Sequence, residues 1–100
     1  MVDENQDWEP YDPAWLVNLA RNQIPDEPWL AAALEDCRIA WRQSPAYTCF
    51  VDPTNPNEPG SKWQFETNIT LEDPSEGTLV LDILKNKRIG GYETLSKIEV

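Results

Sequence analysis

The chain has 100 residues with 18 acidic and 8 basic side chains, a net charge of -10 and no histidine. That length is enough for one domain with a single modest core. The charge repels nucleic acid and anionic membranes and attracts basic proteins. Without histidine, the chain cannot build Ser–His or Cys–His nucleophile systems or a histidine proton relay.

Residues 1–11 are polar and acidic, with Trp8 and Tyr11 interleaved. They are expected to form a partly mobile acidic tail of the single domain spanning 1–100. Trp8 either folds back onto the domain or stands out as an anchor for a partner. Asp12-Pro13 is a helix start: the carboxylate caps free N–H groups and the proline suits the first turn. Trp15, Leu16, Leu19 and Ala20 follow at helical spacing, and Pro25 ends this helix. Asp26 and Glu27 ahead of Pro28 open a second helix by the same chemistry. Its apolar stripe is Leu30, Ala33, Leu34, Cys37 and Trp41, and Ser44-Pro45 stops it. On that reading Arg38 and Arg42, four apart, share a helix face, and Trp29 and Trp41 are core.

Ala46 to Val51 reads as a strand rich in β-formers. Asp52 to Ser61, with three prolines, two asparagines and one glycine, is an extended loop that cannot enter a sheet interior. From Lys62 to Glu72 the chain alternates. Trp63, Phe65, Thr67, Ile69 and Leu71 are predicted on one face; Gln64, Glu66, Asn68, Thr70 and Glu72 on the other. This pattern implies a sheet covered on one side, with the other left to water or a partner. Asp73-Pro74-Ser75-Glu76-Gly77 is a turn. Thr78 to Leu84 is an almost continuous apolar run, as a central strand would be. Lys85-Asn86-Lys87 is a polar hairpin turn, and Gly90-Gly91 marks a bulge or kink. Tyr92 to Val100 fits a strand better than a helical turn. Helices followed by strands give an α+β class: two N-terminal helices on one face of an antiparallel sheet of about four strands, near 46–51, 62–72, 78–84 and 88–98.

No segment has the length and apolar purity of a membrane span. The start, MVDENQDWE, lacks the basic and apolar regions of a signal peptide, which points to the cytoplasm. There a lone pair of cysteines, Cys37 and Cys49, is expected as two buried thiols. The chain has no Cys-x-x-Cys metal spacing, no calcium-loop pattern and no glycine-rich phosphate or dinucleotide loop. The expectation is therefore a protein that is not an enzyme, with no catalytic residue, no cofactor and no metal.

The acids are distributed unevenly. Residues 1–36 carry nine acids and one base, and residues 52–82 carry seven acids and only Lys62. Asp52, Glu58, Glu66, Glu72, Asp73 and Glu76 are the candidate partner-binding residues, placed on strand and loop beside the wet face. In this general character, over the whole chain and without a motif, the sequence resembles bacterial toxin-immunity proteins. That resemblance implies a cytosolic inhibitor that occludes the active site of a basic, nuclease-like toxin. The partner would be a protein with a basic surface, with no direct nucleic acid and no membrane. Two other readings use the same features: a DNA mimic that inhibits restriction or CRISPR machinery, and a non-catalytic subunit of a cytosolic assembly.

Overall fold

A computed structural model describes residues 8–98. It is an α+β fold in which two helices from the N-terminal half pack on a six-stranded antiparallel sheet. Helix α1 spans Ala14–Gln23 and helix α2 spans Pro28–Glu35. The strands are β1 (Glu9–Pro10), β2 (Ile39–Arg42), β3 (Tyr47–Cys49), β4 (Phe65–Asp73), β5 (Gly77–Leu84) and β6 (Ile89–Thr94). Their order across the sheet is β1-β2-β3-β6-β5-β4. A single 3₁₀ turn, Leu95–Lys97, follows β6, so the last stretch begins as the expected strand and ends as a turn.

The helix starts follow from the Asp-Pro and Glu-Pro pairs. Asp12 Oδ1 accepts the Ala14 N–H at 3.0 Å, with Pro13 itself at the N-cap of α1, and Pro28 takes the first position of α2. The expected carboxylate cap of α2 is not made: Glu27 occupies the N-cap, and its carboxylate accepts the Trp29 indole N–H instead. Leu16, Val17 and Ala20 of α1 and Leu30, Ala31 and Leu34 of α2 are buried. They meet Leu71, Leu79, Leu81, Ile83, Ile89 and Tyr92 from the near face of the sheet. Each fully buried leucine contributes about 1.5–3 kcal/mol, so this layer carries most of the stabilisation. Arg21 and Glu35 tie the helices together at 2.8 Å, but both are well exposed, which limits the pair to about 1 kcal/mol or less.

Helix α2 is shorter than the stripe from Leu30 to Trp41 predicts. It stops at Glu35, and Ile39–Arg42 is a strand. The winning interaction is a local hairpin. Ser44 Oγ accepts the N–H groups of Ala46 and Tyr47 at 3.3 and 3.1 Å, turning the chain so that Trp41 opposes Cys49 and Arg42 opposes Thr48. Arg38 and Arg42 therefore share no helix face. Each bonds a nearby carbonyl instead, Arg38 to Glu35 and Arg42 to Pro45. Trp8 folds back, its ring centroid 6.3 Å from that of Trp41, while Glu9 and Pro10 pair with β2. The rest of the expected acidic tail, residues 1–7, lies outside the described residues.

The long strand keeps its predicted alternation only from Thr67 onward. Ile69 and Leu71 pack towards the helices, and Thr70 and Glu72 are exposed. Between Phe65 and Thr67 the register shifts: β5 advances one residue while β4 advances two, leaving Glu66 as a bulge. The extra residue reverses the parity. Phe65 opposes Leu84 and is 37% exposed, and Trp63 packs with Val51 and Leu84 in a second cluster on the far side of the sheet. Phe65 and Trp63 do not face the helices. A matching shift in β6, between the Asp82–Gly91 and Ile83–Ile89 pairs, puts the expected bulge at Gly90.

These placements predict opposite outcomes for two aromatic truncations. Trp63→Ala should lose about 3–5 kcal/mol in a urea melt, as buried aromatics do. Phe65→Ala should lose about 1 kcal/mol or less. Equal losses would show that the parity does not reverse at Glu66.

Candidate protein-binding surface

The far face of the sheet can be read row by row, because directly opposed residues of an antiparallel pair share a face. One row is Tyr47, Glu93, Val80 and Thr70; the next is Cys49, Gly91, Asp82 and Asn68. Glu72 opposes Thr78 at one end. Three acids, Glu72, Asp82 and Glu93, therefore share this face, and no lysine or arginine occupies a position in these rows.

Two glycines let aromatic rings lie against the sheet backbone. A Cβ on Gly90 would sit 2.7 Å from the Trp63 ring, and one on Gly91 would collide with the Thr48 carbonyl and the Tyr47 ring. Tyr47 and Trp63 thus stand side by side, with centroids 6.5 Å apart. The Tyr47 hydroxyl donates to Asp82 Oδ2, and Asn68 Nδ2 donates to Asp82 Oδ1 at 2.7 Å. Asp82 is held in place by this network, whereas Glu93 and Glu72 keep acceptor capacity for another molecule. Among the described residues, the 50–64 segment covers the corner at Leu84, and the helices lie on the opposite side.

The six candidate acids form two groups. Glu72, Asp73 and Glu76 come together at the β4–β5 hairpin. There Glu72 accepts the Thr78 hydroxyl at 2.8 Å, Asp73 Oδ2 accepts the N–H groups of Ser75 and Glu76, and Glu76 pairs with Lys97 at 3.0 Å. Asp52 and Glu58 lie at the other end, in the proline-rich loop, lining a shallow cleft that also contains Lys62. Asp52 accepts the Thr54 hydroxyl and N–H at 2.6 and 3.0 Å, and these bonds hold its carboxyl below its usual range. The nine residues of β4 put about 26 Å between the two ends. Glu66 is exposed on the bulge near the loop end of the strand. Asp82 and Glu93, absent from the sequence-based set, lie on the face between the groups. Asp82 had one visible signal, being the lone charge in TLVLDIL.

A second cleft opens on the near side beside the hairpin, lined by Tyr11, Trp15, Tyr92, Arg42 and Lys97 among others. Trp15 Nε1 donates to the Tyr11 hydroxyl at 2.9 Å, and Tyr11 and Tyr92 hydroxyls are 3.3 Å apart. Among the described residues, no group of three or more Cys, Asp or Glu side chains is placed to hold a metal ion. No helix among them is long and apolar enough to cross a membrane. Cys37 and Cys49 are buried free thiols. The chain matches no family model, no curated protein and no solved structure.

Burial sets an alkaline limit on the fold. It raises both thiols to about 12, and raises the Tyr11 and Tyr47 hydroxyls far above the ordinary tyrosine value. Each group keeps its proton longer in the fold than in the unfolded chain, where Cys and Tyr ionise near about 8.5 and 10. Their stabilising contribution is complete below those values and is lost as pH rises through the folded range. The urea midpoint should therefore be nearly flat from pH 6 to 8, where no histidine titrates, and should fall steadily above about pH 9. Tyr47→Phe should flatten the alkaline fall. A midpoint unchanged at pH 11 would contradict the assignment.

Proposed function

We propose that this chain is a non-catalytic, cytosolic binding protein that caps a partner with a basic surface. In its most concrete form it is an immunity-type inhibitor that occludes the active site of a nuclease-like toxin. The observation that carries the reading is the far face, with Glu72, Asp82 and Glu93 on one side of the sheet, no base in their rows and, among the described residues, no helix over them. A surface of one sign raises the encounter rate with the opposite sign and disfavours wrong partners. The cleft of a nuclease is basic because its substrate is a polyanion, so an acidic sheet face is complementary to it. The small basic patch at Lys85, Lys87 and Arg88 sits at the β5–β6 turn, away from the middle of this face.

The test begins with the tagged protein purified from its native cell. The expected result is a stable complex with a basic chain whose nuclease activity is suppressed on binding. Stopped-flow association of the purified pair should slow about tenfold or more as salt rises from low to high ionic strength, with dissociation changing less. Glu93→Gln combined with Glu72→Gln should slow association at low salt and leave the unfolding free energy from a urea melt within about 0.5 kcal/mol of the parent. An association rate independent of salt would contradict the electrostatic reading and favour an assembly subunit.

A further inference from the structure

Gln23, at the end of α1, pairs with the outer edge of β4 as another strand would. Its Nε2 donates to the Glu72 carbonyl at 2.7 Å, and its Oε1 accepts the Glu72 N–H at 2.8 Å. Glu72 therefore turns both backbone groups away from β5. Strand geometry repeats every two residues, and the β4–β5 register is regular from Thr67 to Asp73. Asn68 and Thr70 must then present their N–H and C=O groups on the same outer edge. Among the described residues, no hydrogen bond reaches those outward groups, and both residues are exposed. The side chain of one glutamine closes the edge at Glu72 and leaves the stretch before it open.

Native sheets block such edges with charges, prolines, bulges or covering segments, because an open edge templates another strand. β4 has no proline or lysine, it ends the sheet, and its bulge lies at Glu66, before the regular stretch that begins at Thr67. We propose that this edge, from Thr67 to Thr70, receives an extended lysine- or arginine-rich segment of the basic partner, which adds a seventh strand to the sheet. The inference rests on the basic-partner reading above and names the way in which the partner docks. Main-chain bonds to Asn68 and Thr70 would give the affinity, and the basic side chains opposite those two residues would reach diagonally to Glu66 and Glu72. A second copy of the same strand brings no base to Glu66 or Glu72, because β4 contains no lysine or arginine, and in the register centred on Ile69 it opposes Glu66 to Glu72.

The probe is a synthetic heptapeptide of alternating lysine and valine, with the same peptide methylated at the backbone nitrogen of every lysine as control. The two carry the same charge, but the second lacks the N–H groups that would face β4, since residues directly opposite Asn68 and Thr70 share their face and point their backbone groups at them. At low salt, the lysine–valine peptide should slow amide exchange of Asn68 and Thr70 at least tenfold. The N-methylated peptide should bind at least tenfold more weakly. Thr70→Pro, which removes an outward N–H and no bond to β5, should weaken lysine–valine binding by a similar factor. The exchange measurement on the parent protein stands even if that variant does not fold. Equal binding of the two peptides, with Asn68 and Thr70 exchanging as before, would overturn edge docking and leave an acidic face that binds by charge alone. Failure of both peptides to bind would overturn the basic-partner reading together with the edge. Protection of Asn68 and Thr70 without peptide, rising with protein concentration, would assign the edge to a second copy and overturn the proposal.

Discussion

Gly90 and Gly91 allow two aromatic rings to lie directly on the backbone of the sheet, and the far face is organised by that contact. Any side chain at these positions would meet the Trp63 ring, the Tyr47 ring or the Thr48 carbonyl. The bulge at Gly90 and the bulge at Glu66 flank the same segment of β5, Ile83 and Leu84. The bulge at Glu66 turns Trp63 to the side on which Leu84 already lies in the unbroken alternation of β5, and the two make a small apolar cluster there with Val51. The proline-rich loop is anchored by the same contact, since Asn57 Oδ1 accepts the Phe65 N–H and Gln64 bonds the carbonyls of Glu58 and Ser61. Bulges concentrate where a sheet changes the aim of its side chains, and here they separate a covered corner from an open acidic face.

The α+β class was legible because its local signals agree. Asp12-Pro13 and Pro28 start helices, and the five residues from Asp73 to Gly77 make a turn in which Asp73 caps two N–H groups and Gly77 takes a positive φ of 83°. Two elements were misread for separate physical reasons. Leu34, Cys37 and Trp41 fit a helical stripe, yet Ile39–Arg42 gains more from pairing with β3, a partner that helical spacing does not reveal. Trp63 and Phe65 continue the alternation of β4 perfectly in sequence. A bulge reverses parity without changing composition, so hydropathy cannot show it.

The acidity of the strands and loops around the sheet's far face was also legible, and its position was not. Composition identifies strands and loops rich in acid, but only register brings Glu93 and Asp82 onto one face with Glu72. Asp52 and Glu58 went with the group by sequence density, and the length of β4 sets them at the opposite end from Asp73 and Glu76. The edge of β4 depends on a still more remote contact, between Gln23 and Glu72, that no local pattern announces.

The central claim is that a basic partner docks on the far face and open edge of the sheet, away from the helices. Carbodiimide labelling of carboxylates, read by mass spectrometry on the free protein and on its purified complex, tests this directly. The account predicts protection of Glu66, Glu72 and Glu93, with Asp26, Glu27 and Glu35 on and beside the helices labelled as in the free protein. Protection of the helix-side acids with Glu66, Glu72 and Glu93 still labelled would contradict it.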